Sequence, residues 1–450
     1  MKVPRFGRLK LSPRLARRWR ARLRAQRRWW RARWRRWDAS GEVLFPPAGR
    51  GMVAVETLAG APPGPDAAPA GPRIAVLHAT AGSGHKRAAQ ALALAIGELA
   101  PGATVREVDT LVYASRLYRG TYAASYNAMA ARAPALWGAL YHSWALAPVN
   151  RGTAPVRLAM DRLNLRRLVR VVEREQPDAV VCTHFLPVEA LSPIRGRGRL
   201  MVPLHCVITD FAAHPFWAFP HVDRYFVASE RVAEELVGHG VERARVQVTG
   251  IPIDPRFANA IGRDAARAHF GLDPRRPAVL VMGGGSGVGP LADLAERLGS
   301  LALEPQVMVV CGTNARLRDE IDRLPAGRTG RIRTLGFTNE VDVLLEACDV
   351  AVSKAGGLTC SEALVKRTPL VIFKPTPGQE VRNADYLESG GAAVHADSAD
   401  EVAATVGRWL SDPERAERVR EAQWLLAAPD AARTIARQVL EGIAAAKAAG

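Results

Sequence analysis

The sequence lacks the features of a membrane-spanning or secreted chain. No apolar stretch approaches the ~20 residues that a bilayer-crossing helix needs. The amino terminus has no apolar core followed by a small-residue cleavage site, so no secretory signal is expected. Cysteine is scarce. Cys182, Cys206, Cys311, Cys348 and Cys360 lie in or beside apolar runs and none are spaced C-x-x-C, which points to buried reduced thiols in a cytosolic protein and away from a disulfide framework or a zinc site. No D-x-D triplet occurs, which argues against gripping a diphosphate through a metal held by paired aspartates. Acid is almost missing from one region: residues 1–40 hold 16 Lys or Arg and one acidic residue, Asp38. The other 410 residues hold 46 basic and 43 acidic side chains, so the net charge of +18 belongs to an arm and the body is nearly neutral.

At 450 residues the chain can hold two domains of ordinary size. Its expected layout is a basic Arg/Trp arm (1–40), a disordered Pro/Ala/Gly linker (41–72), a first domain (73–255), a second domain (256–428) and a C-terminal helix (429–450). In the first domain apolar strands are expected at Arg73–Ala79, Val105–Val108, Ala179–Cys182, Val202–Ile208, Arg224–Ala228 and Val246–Thr249, with a helix at His85–Leu99 and a long helical region over Tyr113–Glu175. Gly250-Ile-Pro-Ile-Asp-Pro breaks the pattern and marks a hinge. A second strand series follows at Ala278–Met282, Val307–Val310, Ile332–Leu335, Val350–Ser353, Leu370–Phe373 and Ala392–Val394. Continuous apolar strands between helices imply parallel sheets covered on both faces. The fold class is therefore α/β, with two doubly wound, Rossmann-like domains facing a cleft and ligands at the carboxyl ends of the strands.

Residues 353–386 carry the strongest signal. A strand runs into the turn Ala355-Gly356-Gly357, preceded by Lys354, and a helix follows with Leu358, Thr359 and, in its first turn, Glu362. The next strand ends in Pro377-Gly378-Gln379-Glu380. Glycines admit an anion to the backbone, a helix start offers free N–H groups, and Glu362, Gln379 and Glu380 supply acceptors for hydroxyls. A diphosphate beside two sets of hydroxyls describes a nucleotide sugar.

Three further loops end strands. Ala81-Gly82-Ser83-Gly84-His85-Lys86 makes His85 either a general base or a helix-capping, merely exposed histidine. In Thr209-Asp210-Phe211-Ala-Ala-His214-Pro-Phe-Trp217, Asp210 and His214 could share a helical face but are too few for a metal site. Asp210 could orient the base, and His214 and Trp217 could meet an acceptor beside Phe211, Phe216 and Phe219; core aromatics plus a cap fit the spacing equally. Gly283-Gly284-Gly285-Ser286-Gly287 is a second phosphate cradle, with Asn314 and Phe337 at the next two strand ends.

In this order these segments resemble the monogalactosyldiacylglycerol synthase and processive diacylglycerol glucosyltransferase family, itself related to the N-acetylglucosaminyltransferase of the peptidoglycan lipid precursor. The resemblance covers roughly Arg73 to Ala396. It implies a GT-B fold and inverting, metal-independent glycosyl transfer without a cofactor. It also implies a UDP-sugar donor held by the second domain and a membrane lipid acceptor approached by the first. Gly84, Gly284 and Gly285 would then lie near the diphosphate, Phe337 near uracil, Glu362 on the ribose, and Gln379 and Glu380 on the donor sugar; His85 matches the family's catalytic histidine. The family often has Gly-Gly-Gly-His where this chain has Gly82-Ser83-Gly84-His85.

Nothing in the family pattern matches the arm. On a helix Leu15, Trp19, Leu23, Trp30, Trp34 and Trp37 share an arc of roughly 100° among arginines, which suits an anionic bilayer and a peripheral place on the inner face of the plasma membrane. The same composition suits nucleic acid, which the near-neutral body disfavours, or an upstream extension with Met52 as the start. A competing enzyme class is a UDP-N-acetylglucosamine 2-epimerase, which would leave the aromatic region 113–144 without a purpose.

Overall fold

Strand after strand in this chain is a short run of Val, Ile, Leu and Ala, and each is buried on both faces as such runs demand. The computed structural model describes residues 55–59, 71–80, 82–122, 134–145, 147–285, 287, 289–328 and 330–449. The Arg/Trp arm and most of the linker lie outside the described residues. Within the expected linker, β1 (Val55–Ala59) is a strand, not disordered chain: it pairs antiparallel with β3 (Thr104–Asp109) and so closes an otherwise open sheet edge.

The first sheet continues with β2 (Arg73–His78), β4 (Ala179–Cys182), β5 (Leu204–Val207), β6 (Arg224–Val227) and β7 (Val246–Val248), in the order β1-β3-β2-β4-β5-β6-β7. All its pairs except β1–β3 are parallel. The second sheet is wholly parallel: β8 (Ala278–Met282), β9 (Gln306–Val310), β10 (Ile332–Leu335), β11 (Val350–Ser353), β12 (Leu370–Phe373) and β13 (Ala393–Ala396), in the order β10-β9-β8-β11-β12-β13. Chain order reverses beside β2 in one sheet and between β8 and β11 in the other. Those are the switch points at which doubly wound sheets bind ligands.

Seven helices matter to the site. They are α1 (Ser83–Leu99), α2 (Pro134–Ala145), α3 (Ala147–Asn164), α4 (Phe185–Arg195), α5 (Gly357–Lys366), α6 (Gln379–Ser389) and α7 (Ala431–Ala449). The expected long helical region over Tyr113–Glu175 is several helices, among them α2 and α3, with a separate helix at Arg166–Glu175. Although last in sequence, α7 packs on the first sheet. Its Ala432, Ile435, Ala436, Val439 and Ile443, at i, i+3, i+4, i+7 and i+11, bury against Leu92 and Ile96 of α1 and Ile74 of β2. Burying each such Ile or Val contributes about 1.5–3 kcal/mol, and the Arg433–Glu98 (2.9 Å) and Lys447–Asp178 (2.8 Å) ion pairs fix the helix at its rim.

The hinge carries its own steric logic. Gly250 has φ +87°, and a Cβ there would stand 2.2 Å from the Ala428 Cβ. Ile251 and Ile253 beyond it are buried in a cluster that joins Ala88 and Phe211 of the first half to Leu280, Leu358 and Ala363 of the second.

Candidate functional site

His85 stands in the first turn of α1, just beyond β2. Its Nδ1 lies 2.7 Å from the Thr183 carbonyl and 3.0 Å from Thr209 Oγ1, while Thr183 Oγ1 donates back to the His85 carbonyl at 2.8 Å. A carbonyl only accepts, so Nδ1 carries the proton and Nε2 keeps its lone pair. Burial, only partly offset by the Thr183 bond and reinforced by nearby His78, lowers the imidazole from 6.5 to about 4. The ring therefore holds no proton on Nε2 at neutral pH. His184 packs edge-on against it at 4.5 Å and Trp217 lies 6.3 Å away. The ring makes no cap bond at α1, and its tautomer leaves Nε2 as a proton acceptor.

Asp210 does not orient this ring; the Thr183 carbonyl does. The Asp210 carboxylate accepts instead from Asn383 Nδ2 at 2.9 Å. Burial pushes it up to about 6, with Asn383 opposing and Glu380 adding to the rise. Asn383, which is fully buried on α6, also donates to the Ala355 carbonyl (2.9 Å) and accepts from the Phe211 N–H (2.8 Å), tying a loop of each sheet to one amide.

The starts of α1 on the first sheet and of α5 and α6 on the second share a motif. Each helix starts after a glycine (Gly82, Gly356 and Gly378), and none of those N-cap positions has a side chain to cap the helix. Because α5 begins at Gly357, Glu362 stands in its second turn, not the first. The carboxylate is buried. Its Oε1 pairs with Arg87 at 2.9 Å, and its Oε2 has no hydrogen-bond partner. Burial raises it to about 7, with Arg87 pulling it down and Asp254 and Asp342 pushing it up.

The first sheet's loops meet the second's across the cleft. A Cβ on Gly285 would lie 3.5 Å from Ser83 Oγ, and one on Gly84 3.9 Å from the Leu358 side chain. A Cβ on Gly357 would lie 2.0 Å from the Thr209 carbonyl oxygen, so this contact admits only glycine. Gly284 has φ +73° and open space where a Cβ would be, and Gly356 is likewise unobstructed. Met282, Pro290, Leu291, Ser353 and Lys354 line a small recess at the β8–β11 switch point. Lys354 Nζ stands 3.5 Å from Glu380 Oε1, whose second oxygen accepts from the Thr376 N–H at 2.6 Å. Gln379 opens α6 beside it, and Thr359 lies in the first turn of α5. Phe337 is 66% exposed at the end of β10, an open ring and not a core one.

Some expected contacts are spent on structure. Asn314 caps the helix at Ala315–Asp322 through its Oδ1 and donates its Nδ2 to the Gly287 carbonyl at 3.1 Å, which holds the glycine loop in shape. His214 and Trp217 were expected at an acceptor path; both are buried. His214 Nδ1 accepts from the Phe216 N–H (3.2 Å) and Nε2 donates to the Tyr141 carbonyl (3.2 Å), so the 3-10 turn Pro215–Trp217 rolls Trp217 inward onto Phe185 and His184. The alternative of core aromatics plus a cap describes this loop. Ser286 lies outside the described residues. Sequence reasoning missed Thr183, Asn383 and Arg87, and also the seat of α2: a Cβ on Gly378 (φ +102°) would touch the Tyr141 ring at 3.0 Å, and one on Gly138 would meet Pro377 at 2.9 Å. The single glycine of Pro377-Gly378-Gln379-Glu380 does not by itself say which neighbour comes close.

Two sequence families match this chain: monogalactosyldiacylglycerol synthase over residues 85–253 and glycosyl transferases group 1 over residues 265–423. A processive diacylglycerol beta-glucosyltransferase of Bacillus pumilus is 30% identical over 282 residues, which span 62% of this chain and 73% of that protein. Among solved structures, MurG of Acinetobacter baumannii aligns with a TM-score of 0.52 at 14% identity, over 82% of this chain and 100% of that one. The UDP-GlcNAc 2-epimerase of Neisseria meningitidis bound to UDP-GlcNAc aligns with a TM-score of 0.53 at 12% identity, over the same 82% and 100%. At such identities both speak to the fold alone, which is GT-B.

Proposed function

The chain belongs to the family of processive diacylglycerol β-glucosyltransferases, and from that membership we propose that it is an inverting enzyme that moves a hexose from a UDP-sugar to diacylglycerol in a membrane. The carrying observation is convergence. A histidine with a free Nε2 on one sheet's first helix faces uncapped, glycine-led helix starts on the other sheet, with Ser83 against Gly285 and Gly84 against Leu358.

In this reading the donor's diphosphate lies on the N–H groups of the 283–287 loop and the α5 start, where the helix dipole favours negative charge. Phe337 stacks on uracil, Glu362 takes the ribose hydroxyls, and Lys354, Gln379 and Glu380 face the sugar. The acceptor hydroxyl attacks the anomeric carbon from the face opposite UDP. His85 Nε2 removes its proton as the new C–O bond forms and the bond to UDP breaks. A diphosphate beside the ring favours imidazolium and raises the pKa of His85 toward the working pH. Main-chain amides and Lys354 take the leaving charge, the role a metal fills in D-x-D enzymes. The buried Asn383 and the Gly357–Thr209 contact hold the halves closed, which keeps water from competing as acceptor. Among the described residues no helix is long and apolar enough to cross a membrane. The enzyme meets its lipid peripherally, with the basic arm on anionic headgroups at the inner face.

A panel of UDP-sugars incubated with total lipid extract and read by mass spectrometry tests this. The expected product is diacylglycerol carrying one or more hexoses, formed from UDP-glucose. An epimerised UDP-sugar formed in the absence of lipid would overturn the proposal.

A further inference from the structure

The cross-cleft pair Arg87–Glu362 is absent from the family-derived picture of the site, and its geometry is unusual. Glu362 belongs to the second sheet's α5 and is 1% exposed. Its cationic neighbour comes from the other half of the molecule: Arg87, on α1, reaches Oε1 at 2.9 Å. The pairing follows from helix periodicity. Gly84, Arg87 and Ala88, at i, i+3 and i+4, make one stripe of α1. That stripe lies on α5, with Gly84 near Leu358 and Ala88 in the same buried cluster as Leu358 and Ala363. His85 is one step round the helix and faces Thr183 and Thr209 instead. One helix thus presents the proton acceptor on one face and a cation for the nucleotide helix on the next.

The other charges around Glu362 oppose its ionisation. Asp342 comes from the helix Val341–Ala347, and Asp254 comes from the hinge, where it is itself paired with Arg256 at 3.1 Å. A carboxylate in this setting, buried and with Oε2 unpartnered, tends to take up a proton. A protonated carboxyl presents one acceptor fewer to a vicinal diol.

We propose that Arg87 is a positioning residue for the donor: it crosses the cleft to keep Glu362 charged and aimed, so that the unpartnered Oε2 receives the ribose hydroxyls and the nucleotide subsite is complete only when the two halves are closed. This rests on the UDP-sugar reading above, and the experiment separates the two.

UDP binding is measured by calorimetry from pH 6 to pH 9.5 on the full-length protein, Arg87→Met, Arg87→Lys and, as a second neutral variant should Met impair folding, Arg87→Gln. Comparing each variant with wild type at the same pH cancels the ligand's own titration. Without the cation the midpoint of Glu362 rises by about one unit or more, so the neutral variants bind UDP about fivefold or more weakly at pH 7 and converge on wild type, within about twofold, by pH 9.5. Arg87→Lys keeps the wild-type midpoint. A ratio of affinities that stays constant across the pH range, or equals one throughout, overturns the role of Arg87. Absence of UDP binding by wild type at every pH overturns the donor reading itself.

Discussion

Replacing His85 by alanine should separate chemistry from donor binding. The ring's Nδ1–H is held by the Thr183 carbonyl at 2.7 Å and Thr209 Oγ1 at 3.0 Å, which leaves Nε2 to act as base. A positioned general base contributes about 10²–10⁴-fold in rate, or about 3–5 kcal/mol of barrier at ~1.4 kcal/mol per decade. The proposed donor contacts lie on the other sheet or on other faces of α1, so UDP affinity should change by no more than about twofold. Burial depresses His85 in the free protein, and at saturating donor and acceptor the wild-type single-turnover rate should rise only up to the donor-raised pKa of His85 and be flat above it. In His85→Ala the acceptor must lose its proton to hydroxide, so the residual rate should climb about tenfold per pH unit. Rapid-quench single turnovers with radiolabelled donor, paired with UDP calorimetry, measure both quantities. A variant rate within tenfold of wild type, or a rate loss matched by an equal loss of UDP affinity, would refute the base assignment.

His205 is buried with neither ring nitrogen hydrogen-bonded, and burial lowers it from 6.5 to about 4. A histidine depressed in the folded state contributes stability that is complete above pH 6.5 and lost as pH falls toward 4. Relative to His205→Leu, wild type should therefore lose up to about 3 kcal/mol across that window in urea melts; parallel pH curves for the two proteins would contradict the burial argument. Gly357→Ala places a Cβ 2.0 Å from the Thr209 oxygen, so we expect about 1–3 kcal/mol of destabilisation and roughly tenfold weaker UDP binding, checked by melting and calorimetry. Activity should persist in excess EDTA, since main-chain amides and Lys354 are assigned the leaving charge; abolition by EDTA with rescue by magnesium would reverse that assignment. Flotation with anionic liposomes should weaken when residues 1–40 are removed, and equal flotation would strip the arm of its membrane role.

What could be read from sequence divides along a physical line. The parallel sheets were legible because a strand buried on both faces must be a continuous apolar run, and the run's position fixes where its loop emerges. Val350–Ser353 and Leu370–Phe373 fall as expected. The glycine-led loops were legible for a steric reason: only glycine admits the backbone approach seen at Gly357. Partnerships between distant segments were not legible. Thr183 orients His85 from 98 residues away within the first half, and Asn383 holds Asp210 across 173 between the two sheets. No local pattern encodes a contact of that separation. Trp217 and His214 were open to two readings because an aromatic run has the same spacing whether it lines a path or fills a core; the bonds of His214 to Phe216 and Tyr141 decide for the core. The helix start at Gly357 likewise moved Glu362 one turn inward, where it meets Arg87.

Titration calorimetry with UDP on wild type and on Glu362→Ala bears most directly on the central claim, that main-chain amides and one buried carboxylate form a uridine-diphosphate site. Saturable heat with wild type, and affinity at least tenfold weaker in the variant at the same melting temperature, is the predicted result. No heat from folded wild-type protein with any uracil nucleotide, or equal affinity in both proteins, would contradict it.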